Sequence, residues 1–147
     1  MSDFGPHFAA GSTIGFIGVG VSVLMTTEHS MVSVLAPLVA GIAGALNPDM
    51  DIKSKSSTVM YFLFLCLGAY LMFIGNYYMA FAIMVYSIIP QFCKHRGFIH
   101  SFIFGLIATG VLYLISIYLF NFTTILTAIV CGTYFAGFLS HKILDEL

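Results

Sequence analysis

Residues 56–93 read SSTVMYFLFLCLGAYLMFIGNYYMAFAIMVYSIIPQFC, a run of 38 residues that contains no Asp, Glu, Lys or Arg. As one straight helix this run would be about 57 Å long, whereas the hydrocarbon core of a bilayer is about 30 Å thick. The run must therefore fold back on itself as two helices. We predict the turn at Gly75-Asn76, because glycine and asparagine favour helix ends.

The rest of the chain divides into helices at its polar residues. Between Asp3 and Asp49 the only formal charge is Glu28, which separates a span near residues 8–26 from another near 31–47. The segment Asn121-Phe122-Thr123-Thr124 divides the last charge-free stretch, with Asn121 as the break and Thr123 or Thr124 as the N-cap.

These divisions predict an all-α fold, a polytopic membrane bundle of about six transmembrane helices that forms one domain over residues 1–147. The apolar runs are continuous and lack the alternation that is typical of a membrane β-barrel. We expect close helix packing at six glycines of the first two spans, since small residues let membrane helices approach. They are Gly11, Gly15, Gly18, Gly20, Gly41 and Gly44.

The composition excludes several classes of protein. Of the 147 residues, 60% are hydrophobic and 7% are charged, whereas a soluble domain has about 25% charged residues. A soluble globule, a disordered chain and a nucleic-acid binder with a basic face are therefore excluded. The three scattered cysteines form neither a disulfide framework nor a zinc ribbon. The N-terminus has no basic region, so we expect no cleaved signal peptide.

An even number of crossings gathers the ionisable residues on one side of the membrane. With six spans, four of the five histidines fall on the side of the N-terminus, and so do Asp49, Asp51 and Asp145. All five Lys and Arg residues, namely Lys53, Lys55, Lys94, Arg96 and Lys142, fall on that side as well. The positive-inside rule then predicts that this side, with both termini, is cytoplasmic.

The spacing of these ionisable residues suggests metal chemistry. His141 and Asp145 are four residues apart and share one face of a helix. Asp49 and Asp51 follow Pro48, which biases the preceding residue away from helix, so we expect both carboxylates on irregular backbone. His95 is expected in a turn and His100 in the first turn of the fifth helix, and His7 at the start of the first span completes the set.

Imidazoles and carboxylates suit Zn²⁺, and also Mn²⁺ or Fe²⁺. Seven candidate ligands exceed the needs of one tetrahedral ion with an open position and fit a two-metal site, so we expect one or two divalent ions. Arg96 is placed to hold a phosphate or another oxyanion. Ser101 is a candidate for orienting the substrate or water.

In their order, these motifs resemble the YdjM-type family, bacterial inner-membrane proteins described as metal-dependent hydrolases and also called LexA-binding inner-membrane-associated hydrolases. The specific blocks are His-Arg-Gly-x-x-His-Ser at residues 95–101 and Pro-Asp-x-Asp at residues 48–51. The arrangement is also distantly similar to zinc-dependent phospholipase C, which acts on phosphodiesters. The resemblance implies a metal and catalytic set of His7, Asp49, Asp51, His95, His100, His141 and Asp145.

We therefore expect a multi-pass inner-membrane hydrolase, bacterial or phage-encoded, that cleaves an ester or phosphoester of a lipid or lipid-linked substrate at the cytoplasmic leaflet. Asp51 or Asp145 is expected to accept the proton. Two alternatives stay open: a transporter or sensor of divalent metal, and a non-catalytic membrane adaptor for a soluble regulatory partner. Formation of a homo-oligomer is open too, and no nucleic-acid partner is expected.

Overall fold

A computed structural model describes residues 4–27, 29–51, 54–92 and 97–146 of the chain. Over these residues the fold is all-α, with six α-helices and no strand, as the sequence predicts. The helices are α1 (Phe4–Met25), α2 (Met31–Leu46), α3 (Lys55–Phe73), α4 (Tyr77–Ile88), α5 (Phe102–Tyr118) and α6 (Thr124–Glu146). Three short 3-10 helices lie between them, at Asn47–Asp51, Ile89–Phe92 and Phe98–His100.

The two predicted turns are confirmed, and each contains a residue in the left-handed region. Gly75 between α3 and α4 has a φ of 78°, and the side chain of Asn76 then caps α4 by accepting from the Met79 N–H. Asn121 between α5 and α6 has a φ of 51°, and the Thr123 hydroxyl accepts from the Leu126 N–H. In these charge-free stretches, residues in the left-handed region end one helix, and a polar side chain caps the start of the next.

Four of the helical segments are long and apolar enough to cross a membrane: Phe4–Met25, Met31–Met50, Lys55–Phe73 and Thr124–Glu146. The remaining two, Tyr77–Phe92 and Phe102–Tyr118, are apolar but shorter. Large apolar side chains point outward, and Phe73 and Tyr78 are 90% and 92% exposed. Such a surface suits lipid rather than water. The cytoplasmic position of the termini stays a prediction.

Helices α1, α2 and α6 form the closely packed centre of the bundle. A Cβ atom on Gly11 would lie 2.8 Å from the carbonyl oxygen of Gly41, so the backbones of α1 and α2 touch there. Gly44 and Gly137 make the same kind of approach between α2 and α6. The predicted packing role is confirmed for Gly11, Gly15, Gly18, Gly41 and Gly44. It is wrong for Gly20, which has open space around it among the described residues.

The other three helices are arranged around this centre. Helix α5 packs on α6, where Gly105 accommodates the ring of Phe138. The α3–α4 hairpin joins the remaining helices mainly through the 3-10 segments Asn47–Asp51 and Ile89–Phe92. A cleft therefore stays open between the hairpin on one side and α2, α5 and α6 on the other.

Candidate metal centre

Five of the seven predicted metal ligands meet at one end of the bundle. They form two groups of three whose ligand atoms lie within 4.8 Å of one another, namely His7, His141 and Asp145, and Asp49, His100 and His141. Helix α1 carries His7, α6 carries His141 and Asp145, and the 3-10 helices carry Asp49 and His100. The Asp51 side chain, His95 and Arg96 lie outside the described part of the chain.

The orientation of His141 follows from the way α2 ends. Pro48 has no N–H, so the carbonyl of Ala45, three residues earlier, receives no 3-10 hydrogen bond from it. The Nδ1 atom of His141 lies 2.7 Å from this carbonyl oxygen. A carbonyl only accepts, so Nδ1 carries the proton and donates, and in the neutral imidazole Nε2 then has a lone pair.

The Nε2 atom of His141 points at two carboxylates. It lies 3.5 Å from Oδ1 of Asp49 and 3.4 Å from Oδ2 of Asp145. Among the described residues it makes no hydrogen bond, although His141 is fully buried. A buried nitrogen lone pair that faces carboxylate oxygens is the arrangement that a cation requires.

Asp145 faces all three histidines of the cluster. Its Oδ1 lies 3.3 Å from Nε2 of His7, and its Oδ2 lies 3.9 Å from Nδ1 of His100. The predicted shared helix face of His141 and Asp145 is confirmed by their contact across one turn. The Asp145 side chain is 19% exposed, whereas that of Asp49 is 1% exposed. Asp145 therefore lies where the cluster opens to the outside.

Asp49 is held by a serine that the sequence did not single out. The hydroxyl of Ser56, in the first turns of α3, donates to Oδ2 of Asp49 at 3.1 Å. Both residues are buried, and the bond leaves Oδ1 directed at His141. The prediction of irregular backbone after Pro48 is wrong, because residues Asn47–Asp51 form a 3-10 helix.

His100 and Ser101 lie slightly differently from the prediction. His100 ends the 3-10 helix Phe98–His100 and precedes α5, so its placement in the first turn of α5 is wrong. Ser101 is the N-cap of α5, and its hydroxyl accepts from the Phe104 N–H at 3.1 Å. This bond gives Ser101 a structural role, and its part in orienting a substrate or water stays a prediction.

Three N–O distances in the cluster fit a tetrahedral ion, whereas the distance of 3.9 Å between Nδ1 of His100 and Oδ2 of Asp145 is longer. Bonds of about 2.0–2.1 Å at a tetrahedral zinc place neighbouring ligand atoms about 3.3–3.4 Å apart. Three N–O distances in the cluster are 3.3, 3.4 and 3.5 Å. They exceed the 2.7–2.9 Å of a charge-assisted hydrogen bond. The donor set of imidazoles and carboxylates also matches a borderline divalent metal such as Zn²⁺.

Two features of the cluster were absent from the predicted site. The Ala45 carbonyl and the Ser56 hydroxyl each orient one ligand. Pro48 could have indicated the role of Ala45, because a proline donates no hydrogen bond to the carbonyls of the preceding turn and leaves one of them available to another donor. Nothing in the sequence distinguishes Ser56 from Ser54 and Ser57, since only the packing of α3 decides which serine faces Asp49.

Comparison with known proteins identifies a family for the chain. No curated protein and no solved structure matches it significantly. The YdjM inner membrane protein family matches over residues 1–147, the whole chain. This agrees with the apolar helical bundle and with the resemblance carried by the blocks at residues 48–51 and 95–101. The protein therefore belongs to the YdjM inner membrane protein family.

Proposed function

We propose that this protein is a membrane-bound metal-dependent hydrolase that cleaves an ester or phosphoester of a lipid or lipid-linked substrate at the cytoplasmic leaflet. One observation carries the proposal: three imidazoles and two carboxylates from separate parts of the chain converge at one end of an apolar bundle. Ionisable groups in a membrane protein are costly to bury, and such a cluster therefore marks a functional site.

Within the cluster, four groups would hold a cation, and the fifth, Asp145, would contribute a carboxylate oxygen to it and could also accept a proton. His7, Asp49, His100 and His141 are the more buried ligands, and the Ala45 carbonyl and the Ser56 hydroxyl fix two of them. Asp145 reaches the surface and is the proton acceptor that we propose from this geometry. A divalent cation held there supplies Lewis acidity, which polarises a carbonyl or phosphoryl oxygen and lowers the pKa of water.

The remaining predicted residues extend this proposal. Asp51 and His95 would add ligands and allow a second ion. Arg96, between His95 and the rest of the 95–101 block, would hold the phosphate of the substrate through its planar guanidinium. The location in an inner membrane is supported by the family, and the choice of the cytoplasmic leaflet rests on the distribution of Lys and Arg.

The test is to measure metal content and hydrolysis on purified protein in lipid nanodiscs. We expect one or two equivalents of Zn²⁺, Mn²⁺ or Fe²⁺, and hydrolysis of phosphatidylglycerol or bis(4-nitrophenyl) phosphate that a chelator abolishes and metal restores. His141→Ala should lose both metal and activity. His29→Ala is the matched control, because His29 is exposed between α1 and α2.

Three outcomes would overturn the proposal. Protein that binds no stoichiometric metal would show that the cluster is not a metal centre. Protein that binds metal, hydrolyses neither probe and moves the metal across liposome membranes would instead be a transporter. Metal binding together with retained capture of a soluble partner by the His141→Ala variant, and no hydrolysis, would favour an adaptor.

A further inference from the structure

A long apolar cleft runs between the α3–α4 hairpin and helices α2, α5 and α6. Its volume is about 700 Å³, within the roughly 300–1,000 Å³ of ligand sites in proteins. Met31, Met79 and Phe122 line the cleft near the end opposite the metal centre, and Asn47 lines it near the cluster end. Helices α2, α3 and α6, which are long and apolar enough to cross a membrane, contribute to its walls.

The length and the lining of the cleft suit a hydrocarbon chain. It follows α2 from Met31 to Asn47, and a helix of this length is about 24 Å long. The residues that line the cleft are almost all apolar. An acyl chain of a membrane lipid is long and apolar, and it therefore matches both the length and the lining of the cleft.

Three polar side chains lie at the cluster end of this apolar cleft. The Nδ2 atom of Asn47 donates to the hydroxyl of Tyr86 at 3.0 Å and also to the hydroxyl of Tyr134. The hydroxyls of Tyr86 and Tyr134 are also hydrogen-bonded to each other, so the pair keeps one O–H as a donor. The Oδ1 atom of Asn47 has no hydrogen-bond partner among the described residues, although Asn47 is only 1% exposed. A buried acceptor without a partner is costly, and a ligand with a hydroxyl group can satisfy it.

We propose that the cleft binds one acyl chain of a membrane phospholipid and that Asn47, Tyr86 and Tyr134 bind the oxygen-bearing groups where this chain joins the glycerol. The O–H that the tyrosine pair leaves free donates to an ester oxygen, and Oδ1 of Asn47 accepts from a hydroxyl of the lipid headgroup. Phosphatidylglycerol has both kinds of group. Methylene groups fill the remainder of the cleft.

This arrangement places the headgroup beside the metal centre. That part of the inference rests on the proposed function. Asn47 and Asp49 belong to the same 3-10 helix, where two residues rise by about 4 Å. Tyr134 and His141 lie on the same buried face of α6, two turns or about 10.5 Å apart along its axis. A lipid anchored at Asn47 therefore has its phosphoester on the cluster side.

The test uses phosphatidylglycerol with a photoreactive diazirine at the end of one acyl chain, in nanodiscs that contain the purified protein. After illumination, mass spectrometry identifies the labelled residues. We expect labels at the end of the cleft far from Asn47, such as Val32, Leu35 and Ile115. Labels confined to outward side chains such as Phe73 and Tyr78 would overturn the proposal.

Two pairs of variants test the occupant and its polar anchor. Ala36→Phe fills the cleft and should abolish most of the cleft labelling, whereas Ala128→Phe adds the same ring to an exposed position of α6 and should not. Tyr86→Phe should raise the probe concentration that gives half-maximal cleft labelling by roughly 2- to 10-fold, as expected for one lost hydrogen bond. Tyr113→Phe, on an exposed tyrosine outside the cleft, should leave it unchanged.

The readouts separate this proposal from that of the hydrolase. Metal content and the circular dichroism spectrum are measured for every variant, and both should match those of the unmodified protein. Cleft labelling in a protein that never hydrolyses lipid would support the lipid site and contradict the hydrolase. Unchanged labelling in Ala36→Phe, with the fold intact, would overturn the lipid site whatever the activity.

Discussion

The backbone of Gly11 in α1 touches that of Gly41 in α2. A Cβ atom on Gly41 would lie 2.7 Å from the carbonyl oxygen of Gly11 and 2.8 Å from the backbone nitrogen of Gly15. Backbone atoms cannot rotate away as a flexible side chain can, so the two helices would have to separate. His7 lies one turn before Gly11 on the same buried face, and the contact therefore also sets the position of a ligand.

Gly41→Ala should destabilise the bundle by about 1–3 kcal/mol, as overpacking does, although alanine favours helix over glycine by about 1 kcal/mol. Thermal unfolding in detergent measures this change, and metal content should fall because α1 carries His7. Gly20→Ala is the control, since a Cβ there meets open space. Equal stability of the two variants would contradict the close contact.

Pro48→Ala should weaken metal binding although residue 48 is not a ligand. The new N–H at position 48 competes for the Ala45 carbonyl, and His141 then loses the bond that directs its Nε2. Loss of a group that hydrogen-bonds to a metal ligand lowers metal affinity by about 10- to 100-fold. Pro37→Ala, within α2, should leave the affinity unchanged in the same titration.

Ser56→Ala should also lower metal affinity, by about 10-fold or more, because Asp49 loses the hydroxyl that orients its carboxylate. Competition with a chelating dye measures the affinity. Thr58→Val removes a hydroxyl from an exposed site on the same helix and should have no effect. An equal loss in both variants would show that α3 is merely destabilised.

Asp145→Asn keeps the shape of the side chain but removes its charge. Because Asp145 faces His7, His100 and His141, we expect it to lower both metal occupancy and hydrolysis. Glu146→Gln, at an exposed neighbouring position, removes the same charge from the chain and should preserve both. Full activity in Asp145→Asn would contradict its proposed role as proton acceptor.

Much of the fold follows from the sequence because charge and turn residues mark where apolar helices end. Gly75-Asn76 and the segment from Asn121 to Thr124 were identifiable for this reason. The number of crossings then placed His7, Asp49, His100 and His141 on one side, and the structure brings these residues together. The even number of crossings fixes the side of the membrane on which each loop lies without any side-chain detail. It could therefore bring together residues that are far apart in sequence.

Other features depend on packing, which a single sequence does not reveal. Gly20 and Gly18 look alike in the sequence, yet only Gly18 faces a neighbouring helix. Ser56 holds Asp49 because of the rotation of α3. The Asn47–Tyr86–Tyr134 network joins three segments whose polar residues are typical of membrane helices and carry no spacing signal.

Because Nε2 of His141 has a single lone pair, the two ligand triads cannot both bind a metal ion at full strength. Both ligand triads include His141, and its Nε2 faces Asp49 in one triad and Asp145 in the other, but an imidazole nitrogen coordinates one ion at a time. The first ion to arrive deprives the other triad of a donor, so successive equivalents should bind with decreasing strength. A calorimetric titration should accordingly resolve unequal steps instead of one uniform class of sites.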